Sequence, residues 1–152
     1  MTAEFTVLGI SRLDAHVLLA DAGLAMGMVA AGAQRLVDLR GETSPPGLTV
    51  PVDHFPIMDL EPGQDELIMA AGRHVLSLAS TGTVVGLYCQ AGLSRTSAVA
   101  IAYLMLGGRS LRAASDRVRA VRPQAMPALE LWHSLEYIEG KLSVPADQKP
   151  AD

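Results

Sequence analysis

A single cysteine, Cys89, stands in the 152-residue chain, so no intramolecular disulfide can form and the crosslinked framework of a small secreted domain is excluded. No His/Cys cluster with zinc-ligand spacing accompanies it. Charge is scarce, with 18% Asp, Glu, Lys and Arg against 49% hydrophobic residues, which is the opposite of a disordered chain. Basic residues are in the minority, 12 against 16 acids, and the net charge of -4 excludes a surface built to coat nucleic acid. A membrane-spanning run is also missing. Residues 15–33 are apolar-rich, but Asp21 and Gln34 bound and interrupt the stretch and small residues thin it. The opening Met1-Thr-Ala-Glu-Phe-Thr has neither the basic nor the apolar region of a secretion signal, so a cytoplasmic protein is expected.

What remains is an ordinary globular composition at the length of one compact domain. A single domain is expected over residues 1–144, with 145–152 as a flexible tail. Segments rich in β-branched and aliphatic residues alternate with segments of helical period, which predicts an α/β fold. Strands are predicted at Thr6 to Ile10, His16 to Leu19, Arg35 to Leu39, Leu48 to Val52 and Thr83 to Tyr88, the last apolar enough to be buried on both faces. Helices are predicted at about 23–32, 64–80, 95–106, 110–121 and 127–141. In the second, Leu67, Ala70, Ala71, His74, Val75 and Leu78 define the face expected to meet the core. Gly82 and Gly107-Gly108 are expected helix stops, and Ser110 an N-cap.

Chemistry concentrates in Val84-Val-Gly-Leu-Tyr-Cys89-Gln-Ala-Gly-Leu-Ser-Arg95-Thr96, which runs straight into the apolar helix Ser97-Ala-Val-Ala-Ile-Ala-Tyr-Leu. A buried strand delivers Cys89 into a tight turn of Gln90, Ala91, Gly92, Leu93 and Ser94, and Arg95 opens the helix. Converging backbone N–H groups, the helix dipole and a planar guanidinium fork together make an anion cradle. The same field favours the thiolate of Cys89. Gly92 allows the turn to tighten and the backbone to approach a ligand. The Thr96 hydroxyl is placed to hydrogen-bond the sulfur and help it leave a phosphorylated intermediate.

Cys89, five intervening residues, Arg95 and Thr96 resemble the signature of the cysteine-dependent protein tyrosine phosphatases, and Cys-Gln-Ala-Gly-Leu-Ser-Arg-Thr is most similar to the dual-specificity branch. The segment Phe55-Pro-Ile-Met-Asp59 with Pro62 resembles that family's general-acid loop. Ala102-Tyr-Leu-Met, Gly107, Ala113-Ala114, Val118, Arg122-Pro123 and Pro127 resemble the helices that follow its phosphate loop, so the likeness runs from about residue 16 to 142. The resemblance implies a phosphotyrosine phosphatase-like fold, a mainly parallel central sheet with helices on both faces. It implies a phosphomonoester hydrolase in which Cys89 attacks phosphorus, Arg95 and the amides of residues 90–95 hold the oxygens, and Asp59 protonates the leaving group. No metal or other cofactor is implied, because the loop supplies the charge. The implied partner is a phosphorylated protein or peptide, with phosphotyrosine first and phosphoserine or phosphothreonine admitted by a chain too short to deepen the pocket. Neither nucleic acid nor membrane is expected as a partner, and nothing bears on oligomeric state.

Three positions depart from the family pattern. Tyr88 precedes the cysteine where His is usual, Ala128 follows Pro127 where Asn is frequent, and the loop interior has no Lys or His, which counts against a highly phosphorylated inositol. The first departure keeps a phosphate-binding pseudophosphatase in view, and a phosphoinositide, an RNA 5′ end or a phosphorylated sugar remains an alternative substrate. Gln124 and His133 are candidates to compensate for Ala128, and Asp53 and Glu61 rival Asp59. Arg109, Arg112, Arg117, Arg119 and Arg122 read mostly as a solvated helix face, Arg40 as the partner of Glu42 or another acid, and Met26 and Met28 as core filler. His16 and His54 read as isolated histidines without a role. Oxidation of Cys89 would reach a sulfenic acid or a backbone sulfenamide, since no second thiol is present.

Overall fold

The computed structural model describes residues 9–43, 45 and 47–143. The strand expected from Thr6 falls almost wholly outside this range, as does the expected tail at 145–152. In chain order the elements are β1 (Ser11–Arg12), β2 (Val17–Asp21), a short 3₁₀ turn (Ala22–Leu24), α1 (Ala25–Ala30), β3 (Arg35–Arg40), β4 (Val52–Ile57), α2 (Asp65–Ser80), β5 (Val85–Cys89), α3 (Arg95–Leu106), α4 (Leu111–Val121) and α5 (Leu129–Ser143).

The five strands lie in the order β1-β2-β5-β3-β4; β1 is antiparallel to β2, and all other pairs are parallel. This is the expected α/β architecture. Parallel strands need crossovers, and the intervening helices fall on both faces of the sheet. Side chains alternate across the sheet, so Val85, Leu87 and Cys89 of β5 join the larger core beneath α2, α3, α4 and α5. Tyr88, with Leu18, Ala20 and Leu36, faces the smaller core under α1. Two adjacent residues of one strand thus work on opposite sides of the molecule.

β4 differs from the prediction. The apolar run at Leu48 to Val52 suggested the strand, but pairing with β3 begins at Val52 and extends to Ile57, with a register shift between Asp38 and Arg40. Pro56 within the strand is tolerated because β4 is an edge, where a missing N–H breaks no ladder. Phe55 to Ile57 of the expected acid loop are therefore strand, and only Met58 onward is loop. β1 was not anticipated, since two residues carry no period.

The helices match their predicted spans within about two residues, except that the first is split into the 3₁₀ turn and α1. α2 is rotated from its expected face: Ile68, Met69, Ala71, Gly72, Val75 and Ala79 are buried, whereas Ala70 is exposed. The shift follows from Gly72, which lets α3 approach so closely that an added Cβ would lie 3.1 Å from Ala102 Cβ. α3 is buried from Arg95 to Met105, as befits a helix apolar on every side. The Ser110 side chain caps α4 by accepting from Ala113 N–H at 3.1 Å, and Gly82 and Gly108 take left-handed φ of 86° and 110° past their helix ends. Met28 is buried, but Met26 is 43% exposed and is not core filler.

Candidate active site

Cys89 ends β5, the central strand, at the carboxyl edge of the parallel sheet, where ligands of open α/β sheets bind. The chain turns through Gln90 to Ser94 and enters α3 at Arg95, so the helix N-terminus faces the cysteine. Gly92 has φ of 69°, and a Cβ there would meet the Ala20 carbonyl at 2.6 Å. Both conformation and space demand glycine. Thr96 Oγ1 donates to Cys89 Sγ at 3.0 Å, with Thr96 wholly buried and Cys89 2% exposed.

Arg95 is buried, and its guanidinium is held from outside the loop. Nη1 and Nη2 donate to Glu42 Oε1 and Oε2 at 2.5 and 3.0 Å, and Nη1 also reaches the Ile57 carbonyl at 3.2 Å. The fork holds the Glu42 carboxyl down to about 2, chiefly through these hydrogen bonds. The sequence offers Glu42 only as a partner for Arg40. Nothing local in the sequence marks it, because it lies 53 positions from Arg95.

Asp59 meets the loop through Ser94, whose hydroxyl donates to Asp59 Oδ1 at 2.5 Å. Ser94 Oγ in turn accepts from the Ala128 N–H at 2.8 Å. The Ala128 backbone thus makes a polar contact with the loop that its side chain cannot. Gln124 and His133 are exposed, with no hydrogen bond to the loop among the described residues. Of the rival acids, Asp53 is engaged by Arg35 and His74, at 2.7 Å each. Glu61 lines the cleft with Glu42, Met58, Asp59, Leu60 and Arg95.

Tyr88 is fully buried on the far face of β5, and its hydroxyl donates to Asp38 Oδ2 at 3.0 Å. Burial, reinforced by the Asp38 charge, pushes that hydroxyl above its ordinary range. Arg40 grips the same carboxylate through Nε and Nη2 at 3.0 and 2.8 Å, lies 5.4 Å over the Tyr88 ring, and reaches Gln90 Oε1 at 3.3 Å. Tyr88 is therefore a hydrogen-bonded member of a network that ends on Gln90 in the loop after Cys89. His54 Nε2 is spent on the Arg40 carbonyl at 2.6 Å. Arg109, Arg112 and Arg119 are exposed as expected, but Arg122 is wholly buried behind the loop.

A mainly parallel sheet whose central strand presents a thiol to a helix-capping anion loop, with a buried arginine in the first helical turn, defines the cysteine-dependent phosphatase class of fold. Residues 48–140 match the family model described as dual specificity phosphatase, catalytic domain, and the chain belongs to that family. Mouse Dual specificity phosphatase 28 is 43% identical over 60 residues; the match takes in 39% of this chain and spans only 37% of that protein's length. Among solved structures, human DUSP28 superposes with a TM-score of 0.78 at 26% identity, covering 87% of this chain and 96% of that one. A mouse putative dual specificity phosphatase complexed with zinc tungstate gives 0.77 at 27% identity, covering 89% of each chain. Tk-PTP in its active form gives 0.76 at 28%, covering 88% of this chain and 97% of the other. Among the described residues no helix is long and apolar enough to cross a membrane.

Proposed function

We propose that the protein hydrolyses phosphomonoesters of phosphorylated proteins, phosphotyrosine first and phosphoserine or phosphothreonine as well, through a cysteinyl-phosphate intermediate. The observation that carries this reading is the Thr96 hydroxyl on Cys89 Sγ at 3.0 Å, in the same helical turn as the buried Arg95. The Cys89 thiolate attacks phosphorus in line, the P–O bond breaks, and Asp59 gives its proton to the leaving oxygen. Arg95 has both terminal nitrogens oriented by Glu42, while its buried Nε has no partner among the described residues and is free to serve a phosphoryl oxygen. The loop amides of residues 90–95 complete the cradle. Water then attacks the phosphorus and breaks the P–S bond. Asp59 takes back a proton, and the Thr96 hydroxyl stabilises the departing sulfur. Cys89 must stay reduced for this chemistry, which fits the cytoplasm.

The test is hydrolysis of p-nitrophenyl phosphate and of an alkyl phosphate, with EDTA present, by the wild type, Cys89→Ser and Asp59→Ala. EDTA-resistant turnover should vanish in Cys89→Ser and fall about a hundredfold in Asp59→Ala on the alkyl phosphate. Turnover that survives in Cys89→Ser overturns the mechanism. Phosphopeptide binding without any turnover by the wild type makes the domain a binding module instead.

A further inference from the structure

Arg122 follows α4 immediately; Arg112 and Arg119 of that helix are exposed and Arg117 is half-buried on the Leu13 carbonyl, yet Arg122 is 0% exposed. Its backbone stays tied to the end of α4 by N–H donation to Val118 O at 2.9 Å, which aims the side chain under the Cys89 loop. Nε donates to the Gly92 carbonyl at 2.7 Å, and Nη1 to Ser11 Oγ and the Gly9 carbonyl at 2.9 and 2.8 Å. Nη2 is buried, has no hydrogen-bond partner among the described residues, and lies 2.8 Å from where a Gly92 Cβ would project. All its acceptors among the described residues are neutral. A guanidinium removed from water with no carboxylate on it is costly, so such a residue is retained where its charge acts on something.

We propose, building on the phosphatase reading, that Arg122 is a positioning residue for the anion loop: it holds the Gly92 carbonyl turned outward and supplies a second buried positive charge behind Cys89. The peptide plane makes the first effect concrete. With the Gly92 oxygen pinned to Arg122, the trans N–H of Leu93 is directed the opposite way, fixing one donor of the loop. The second effect is electrostatic. Burial lowers the affinity of Arg122 for its proton, and the charges of Asp21 and Cys89 oppose that loss. The interaction is reciprocal, so the cation attracts negative charge carried at the sulfur position or on any phosphoryl group bound there. The other charges around the loop are Arg95 at the start of α3, which is matched by Glu42, Asp59 beyond β4, Asp38 and Arg40 of β3, which pair with each other, and Asp21 at the end of β2, beside Cys89 in the sheet, which acts on Arg122 through its charge without forming an ion pair with it. Arg122 is the cation among them that no carboxylate in the described residues neutralises by contact.

Two substitutions separate charge from geometry. Arg122→Gln keeps a donor and removes the charge; Arg122→Lys keeps the charge and loses the planar fork. Each is read by circular dichroism for folding, by the ratio of Cys89 alkylation rates with iodoacetamide at about pH 6 and about pH 9, by the affinity for inorganic phosphate, and by kcat/KM. In Arg122→Gln the alkylation ratio and the phosphate affinity should each fall roughly tenfold, one pH unit's worth of lost charge stabilisation. In Arg122→Lys the alkylation ratio should stay near wild type while kcat/KM falls at least about tenfold, as misplacing a cradle donor does. Unchanged alkylation and phosphate affinity in a folded Arg122→Gln overturn the charge role. If that variant does not fold, Arg122→Lys decides: a ratio lowered tenfold, or full turnover, overturns the proposal. Alkylation and phosphate binding need no catalysis, so the proposal can fail or stand independently of the hydrolase reading.

Discussion

Glu42 shows how one side chain governs the buried arginine beside Cys89, the one proposed above to hold the phosphoryl group. Its carboxylate takes both terminal nitrogens of Arg95 and fixes the guanidinium plane, although the Glu42 side chain is 45% exposed. Replacing it by Gln leaves one neutral acceptor in place of a bidentate charged pair, and kcat/KM should fall about tenfold. A carboxyl held low contributes stability that is complete above its ordinary value and is lost as pH falls through the lowered one. The thermal midpoint of wild type should therefore exceed that of Glu42→Gln above pH 4.5, with the gap closing toward about pH 2. Solvent screening keeps that gap small. Tyr88 poses the complementary case on the other face of β5. Tyr88→Phe strips a donor from the fully buried Asp38, which then keeps Arg40 as its partner among the described residues. A loss of about 1–3 kcal/mol is expected, read as a lower urea midpoint at unchanged slope.

At the scale of elements, the site depends on how α3 is seated. Its N-terminus faces Cys89, and its first turn carries Arg95 and Thr96, so any displacement of the helix moves both. α2 sets that seat. Gly72 allows contact close enough that a Cβ would stand 3.1 Å from Ala102 Cβ and 3.3 Å from Tyr103 N. Gly72→Leu forces the helices apart and should cost about 1–3 kcal/mol, measured by chemical denaturation. The loop between β5 and α3 is itself braced at three points. Ser94 joins Asp59 and Ala128, Gln90 meets Arg40, and Gly92 rests on Arg122. A loop so tied has a fixed shape for an anion before one arrives, which is the condition for electrostatic preorganisation.

The whole molecule is unevenly built around its sheet. Four helices cover the face that receives Cys89, while α1 covers the other with Ala25 and Met28 as its buried residues. Hydrogen exchange should be faster over residues 22–30 than over β5 and α3, since a thin layer with few buried apolar contacts opens more readily. Equal protection would mean that the two layers unfold together. Locality explains which expectations held. Residues 84–104 announced strand, turn and helix because the whole device is contiguous: an apolar strand, a glycine turn and an apolar helix, with Cys89, Arg95 and Thr96 at fixed local spacing. The α/β class and the helix spans followed from periodicity in the same way. The face of α2 and the start of β4 did not, because a neighbouring helix and a strand register chose them.

Amino-acid order alone thus determined the thiol, its cradle and the sheet strand that delivers it, since each depends on neighbours a few residues away. Only the tertiary structure decided what orients the cradle. Glu42 reaches Arg95 across 53 positions, Asp59 reaches Ser94 across 35, and Arg122 reaches Gly92 across 30. In the sequence Arg122 reads as one more member of a basic helix. Its meaning comes from burial, where a charge without a carboxylate must find its balance in the loop it supports.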